Sequence, residues 1–248
     1  MKIAVCISQV PDTTTKVKVG ESGKTIDPKD ITYIINPYDE FAVEEAIKLK
    51  EKNGGETVVI SVGKETVKET IRKAFAMGID KGILIKTENE LDSYAVAKNL
   101  ADVLKDVNAD IILFGKQSID YDDSQVGTIT AELLGLPSVS VVVELQIEGN
   151  NVTAEREIEG GKEIVTAIMP VVICAQKGLN NPRYPNLKGI MQAKTKPIEE
   201  KQPTYTENKT EVLKMRLPHG KSKGKIIGTD VSAVPELVRL LREEAKVI

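Results

Sequence analysis

Short apolar runs alternate with longer amphipathic stretches through the first half of the chain. Lys2 to Ser8, Thr57 to Val62, Gly82 to Ile85 and Asp110 to Gly115 are rich in Ile and Val, the composition of strands buried on both faces. Helical patterns lie between them. Asp39 to Lys52 sets Ala42, Val43, Ala46, Ile47 and Leu49 near one face, with Glu and Lys opposite. Thr66 to Met77 follows and ends at Gly78, a C-cap signal; Leu91 to Val107 is the next. This alternation predicts an α/β fold, a parallel sheet flanked by helices.

The pattern changes near residue 138. Val139 to Ile147, Val152 to Glu157, Ile164 to Met169 and Val171 to Ala175 read as strands, with turns at Gly149-Asn150-Asn151 and Gly160-Gly161. They predict an antiparallel β extension on the α/β core. Residues 178–228 hold five prolines and many Lys and Gly with little periodicity, and read as an arm that lies on something else. A final helix, Val234 to Ala245, carries an apolar stripe of Val234, Leu237, Val238 and Leu241. The expected division is an α/β domain with its β extension over 1–190 and a C-terminal arm and helix over 191–248.

Composition narrows the function. Among 248 residues, 41% are apolar and 29% charged, and the net charge is -3, a globular balance that disfavours nucleic-acid binding by bulk charge. No apolar run approaches the roughly 18 residues needed to cross a bilayer. The start, Met1 to Ser8, lacks the apolar length and cleavage site of a signal peptide and reads as a buried strand. The expected location is the cytoplasm. Cys6 and Cys174 sit in separate apolar runs and read as core thiols. His219 is the one histidine, so a Ser-His-Asp triad or a His-rich zinc site is disfavoured.

In open parallel sheets ligands bind beyond the C-terminal strand ends. Three segments fall there: Ser8 to Thr13, Val62-Gly63, and Gly115 to Thr130. The third is the richest. Gly127 would let a phosphate approach the backbone, Thr128 and Thr130 offer hydroxyls, and the helix that follows offers free N–H donors at its start. The plainer alternative is a strand-to-helix loop with Ser124 as N-cap. GxGxxG and GxxxxGK[ST] are absent. Asp120, Asp122 and Asp123 lack EF-hand spacing and read as solvated or capping carboxylates. Pro37 and Asp39 suffice as helix-start signals, while the functional alternative has this backbone on an adenine and Tyr38 on a flavin.

Four segments carry a family resemblance: Asn36-Pro37-Tyr38-Asp39-Glu40 with Ala42 to Ala46; Ala76-Met77-Gly78-Ile79-Asp80; Gly115 through Ala131; and Arg156 to Cys174. The last has Arg156, Glu159-Gly160-Gly161, Glu163, Val165, Pro170 and Val172-Ile173-Cys174, with Ala154 where the pattern usually has Val or Ile. Along nearly its whole length the chain resembles the beta subunit of the electron-transfer flavoproteins. The resemblance implies a fold related to adenine-nucleotide hydrolases and a heterodimer with a larger alpha subunit. It implies an electron carrier, not an enzyme on its own, serving dehydrogenases. FAD would sit mainly on alpha, covered near Thr13 and Tyr38, and AMP would be held structurally. The implied AMP contacts are Cys6, Asn36, Pro37, Tyr38, Asp39, Val62, and Asp120, Tyr121, Asp122, Asp123, Ser124, Gln125, Val126, Gly127, Thr128, Ile129, Thr130 and Ala131. Leu187 matches the leucine that anchors a dehydrogenase; the bland reading buries it in its own domain.

Two alternatives stay open. Some family members hold a second FAD in place of AMP and bifurcate electrons from NADH. Val10 to Thr13, Asn36 to Asp39 and Gln125-Val126-Gly127 look like those, whereas Thr128, Thr130 and Arg156 to Gly161 look like the AMP-binding members. The other alternative is a stand-alone nucleotide-binding module of universal-stress type, which needs neither the Arg156–Cys174 pattern nor the arm.

Overall fold

The computed structural model describes residues 1–220 and 224–248; residues 221–223, inside the expected arm, lie outside the described residues. The chain falls into two compact units, Met1–Val17 with Pro28–Leu213, and Lys18–Asp27 with Lys214–Ile248.

The large unit carries, in order, β1 (Lys2–Cys6), β2 (Gln9–Pro11), β3 (Tyr33–Ile35), α1 (Pro37–Asn53), β4 (Glu56–Gly63), α2 (Val67–Met77), β5 (Lys81–Lys86), α3 (Ser93–Val107), β6 (Ile111–Gly115), α4 (Val126–Leu134), β7 (Ser138–Glu148), β8 (Asn151–Ile158), β9 (Gly161–Ile168), β10 (Val171–Ala175), α5 (Leu187–Thr195) and β11 (Glu199–Lys201). The described strands of its main sheet run β11-β5-β4-β1-β6-β10-β7-β8-β9. Strands β11 through β7 pair in parallel, and β7, β8 and β9 pair antiparallel.

Alternation along β1 shows why both faces are covered. Ile3 and Val5 join the core under α1 and α2, while Ala4 and Cys6 join the core under α3 and α4. All four are buried, so each strand residue removes its side chain from water on one side or the other.

Three features depart from the sequence reading. First, β10 is not part of the antiparallel extension: it inserts between β6 and β7, with Val172 opposite Ile112 and Ser138. An all-apolar run specifies two-sided burial and not direction, and the long return through β7 to β9 delivers β10 parallel. Second, β7 bends where it leaves β10. Its register slips at Val141, whose φ of 62° is costly for a β-branched residue, and the strand then continues into the β8 pairing. Third, the unit division falls at 213 and not at 190, because α5, β11 and the segment beyond stay on the α/β unit. Arg72 Nη1 donates to the carbonyls of Ala193 and Lys196 at 2.6 and 3.2 Å. Buried Asn99 donates to the Tyr205 carbonyl and accepts from the Thr204 N–H.

In the small unit, Val19 bridges Ile26, and the Met215 N–H donates to the Gly23 carbonyl at 2.6 Å. A 3-10 turn at Val231–Ala233 leads into α6 (Val234–Glu243). In the expected stripe, Val234 and Leu237 are exposed, and the residue α6 buries is Leu240.

Candidate functional site

Sheet order reverses at β1: β4 and β5 extend to one side of it and β6 to the other. The crevice of such a sheet opens where the chains leave β1 and β6 in opposite directions. One carboxylate ties those two exits together. Asp39, in the first turn of α1, accepts from the Ser8 N–H at 2.7 Å, the Ser8 hydroxyl at 2.9 Å and the Gly115 N–H at 3.0 Å. Burial pushes the Asp39 carboxyl up to about 6, against the pull of these hydrogen bonds. Gly115 must lack a side chain, since a Cβ there would lie 2.4 Å from Asp39 Oδ1.

Asn36, fully buried, does the same for the loop after β6. Its Nδ2 donates to the Gln117 carbonyl at 2.8 Å, and its Oδ1 accepts from the Ile119 N–H at 3.2 Å. The loop then closes on itself. Ser124 donates to Gln117 Oε1 at 2.9 Å, Gln117 Nε2 donates to Asp122 Oδ1 at 2.5 Å, and Ser93 donates to Asp123. Asp122 and Ser124 both adopt positive φ, conformations that Asp and Ser take at modest cost. The side chains of Asn36 and Asp39 are therefore spent on bracing, which leaves this segment its backbone and the Tyr38 ring for a ligand.

The loop delivers α4. Its cap position is Gln125, with no side-chain hydrogen bond to the helix start, so the Ser124 N-cap reading fails. The first N–H groups of a helix have no partner within the helix and carry its positive dipole end. The donors offered to a phosphate here are these N–H groups, while the neighbouring Asp122 and Asp123 carboxylates are turned to Gln117 Nε2 and the Ser93 hydroxyl. Two expected roles change. Gly127 is buried, and a Cβ there would meet Cys174 Sγ at 2.6 Å, so its first task is to seat α4 on β10. Thr130, also buried, donates its hydroxyl to the Val126 carbonyl at 2.7 Å, so that proton is already spent. Thr128 is exposed and bonds the Gln125 carbonyl at 2.9 Å.

Of the other expected positions, Cys6 ends β1 deep in the core and Val62 lies near the end of β4. Burial pushes both cysteine thiols up, Cys174 to about 12, which suits inert core residues. Thr13 is exposed in a turn where Asp12 accepts from the Thr14 N–H and hydroxyl. Tyr38 is half-buried, with Lys116 Nζ 5.0 Å from its ring centre. Pro37, Val126 and Ile129 are half-buried, Ala131 is buried, and Asp120 and Tyr121 are exposed.

Leu187 opens α5 and is 82% exposed, which excludes the reading that buries it. Asn186 caps the helix by accepting from the Gly189 N–H at 2.7 Å. Tyr184, Ile190 and Met191 are exposed beside it, so the solvent side of this turn is apolar.

Comparison with known proteins supplies the family. A model of the electron transfer flavoprotein domain matches residues 24–205. The chain is 41% identical to the electron transfer flavoprotein subunit beta of Bacillus subtilis over the whole of both chains. It is 43% identical to that of Syntrophomonas wolfei over 90% of this chain and 88% of the other. It is 33% identical to the human subunit over 100% of this chain and 99% of the other. This chain belongs to the electron transfer flavoprotein family, among its beta subunits.

Within this beta subunit, sequence reasoning missed the groups that do the bracing. Ser8, Gly115 and Gln117 read from sequence as parts of the segments that could meet a ligand beyond the strand ends, yet they make the hydrogen bonds of Asp39 and Asn36. It also missed Arg183, which grips Glu44 and Glu51 of α1. A signal existed, since Glu44 and Glu51 are seven residues apart and share a helix face. Among the described residues no helix is long and apolar enough to cross a membrane.

Proposed function

We propose that this chain works as one half of a heterodimeric, cytoplasmic electron transfer flavoprotein that takes electrons from dehydrogenases and passes them to a downstream acceptor. FAD, held mainly by an alpha subunit, supplies the redox chemistry. This chain covers it from the side of Thr13 and Tyr38 and holds AMP as a structural brace. The observation that carries the AMP reading is the uncapped start of α4 beside the β1 and β6 exits, presented by a loop that Asn36 locks in place. The exposed Leu187 turn supports docking of a dehydrogenase, since an apolar anchor entering a partner pocket is a common hot spot. Exposed Leu217, Ile226, Val231, Val247 and Ile248 of the small unit support packing of 214–248 on alpha.

Nucleotide extracted from the purified heterodimer tests this. One FAD and one AMP per heterodimer is the expected result. Two FAD and no AMP would move the reading to the bifurcating alternative. One FAD with no second nucleotide would remove the AMP assignment.

A further inference from the structure

We propose that Arg183 is a positioning residue for docking, a clamp that fixes the exposed Leu187 turn to α1 so that a partner meets it pre-formed. The inference rests on the docking reading above and deepens it. Arg183 spreads its guanidinium over two carboxylates of one helix. Nε reaches Glu44 Oε2 at 2.9 Å and Nη2 reaches Glu44 Oε1 at 3.0 Å. Nη1 reaches Glu51 Oε1 at 2.6 Å and Nη2 reaches Glu51 Oε2 at 3.0 Å. The Arg183 N–H also donates to Glu44 Oε2 at 3.0 Å. Three residues earlier, Asn180 Nδ2 donates to the Phe41 carbonyl and to Glu45 Oε2, both at 2.9 Å.

Glu44 is buried, so its bonds to Arg183 sit where water competes least. The far side of the turn is pinned separately, by Arg72 on the end of α5 and by Gly189, where a Cβ would lie 2.4 Å from the Ala76 carbonyl. Tyr184 to Met191 thus spans two anchors, one on α1 and one on α2. Between them Tyr184, Leu187 and Met191 are 95%, 82% and 71% exposed and gain nothing from their own fold. A segment this exposed keeps one shape only if its ends are held, and a pre-formed surface binds without first losing that freedom. Arginine is required because its planar fork makes paired bonds to both carboxylates, which a lysine ammonium cannot.

The test uses the heterodimer and a dehydrogenase chosen because it reduces the parent flavin. The variants are Arg183→Lys and Glu51→Gln, with Leu187→Ala as control. Glu51 is exposed, so its variant keeps the fold if Arg183→Lys does not. The expected result is a KM for the heterodimer raised roughly threefold to tenfold in Arg183→Lys, and less in Glu51→Gln, with kcat near parental. Amide exchange over 184–191 should quicken, while FAD and AMP contents stay put. Unchanged KM in both variants alongside a raised KM in Leu187→Ala overturns the clamp and leaves docking intact. A lowered kcat at constant KM also overturns it. Unchanged KM in Leu187→Ala removes the docking reading and the clamp with it.

Discussion

Asp39 shows how much one side chain can be asked to hold. It is buried, with its carboxyl pushed up to about 6, yet three donors at two strand exits depend on it. The raised value means that the folded state favours the protonated acid. Its contribution is complete below the unfolded value near 3.8 and is lost as pH rises through about 6. Relative to Asp39→Asn, which does not titrate, the parent should lose up to about 3 kcal/mol across that window. Melting temperatures of both heterodimers between pH 4.5 and 7.5 check this; a constant difference would show that Asp39 does not titrate there. Gly127 gives a second residue-scale prediction. Gly127→Ala pushes a Cβ into Cys174 Sγ and should cost about 1–3 kcal/mol. Adding Cys174→Ala should recover much of that loss, and additive effects would mean the two residues are not in contact. Asn36 and Asp39 stand out in the sequence as part of a helix start and of a family-like segment. Their task was not legible there, because their partners Ser8, Gly115, Gln117 and Ile119 are brought near by sheet order alone.

Elements were legible where burial sets a period. β1, β4, β5 and β6 and helices α1 to α3 appear close to their expected places, because each buries a repeating apolar face. Helix α5 escaped notice because Leu187, Ile190 and Met191 are exposed and it buries only Ala193. β11 escaped because Glu199-Glu200-Lys201 is a polar edge strand, held by backbone pairing with Ile83 to Ile85. The apolar side of α5 yields a clean prediction. Leu187→Ala should slow electron transfer from the dehydrogenase while the melting temperature stays within about 1 °C of the parent, as expected for surface changes near ±0.5 kcal/mol. A drop of several degrees with normal kinetics would return Leu187 to a structural role.

The whole molecule is one large α/β unit with a small second unit made from two distant pieces of chain, Lys18–Asp27 and Lys214–Ile248. The small unit has one long helix that buries a single residue, Leu240, among the described residues. Expressed alone, the chain should therefore be cut by trypsin within 214–248 well before the α/β unit is touched. Co-expression with an alpha subunit should suppress that cutting. Equal protection with and without alpha would mean that the small unit is stable by itself.

Strand β10 also imposes an order on synthesis. It is the wedge between β6 and β7, yet β7, β8 and β9 all leave the ribosome before it. Until about residue 175 is free, β6 has one bare edge and the β7–β9 meander has nothing in the sheet to join. A chain that has emerged from the ribosome only as far as Met169 thus leaves the facing edges of β6 and β7 unpaired, a state prone to pair with a neighbour. Emergence of six more residues, Pro170 to Ala175, lets both edges close at once, so the vulnerable interval is set by how fast the chain emerges and not by the stability of the finished fold.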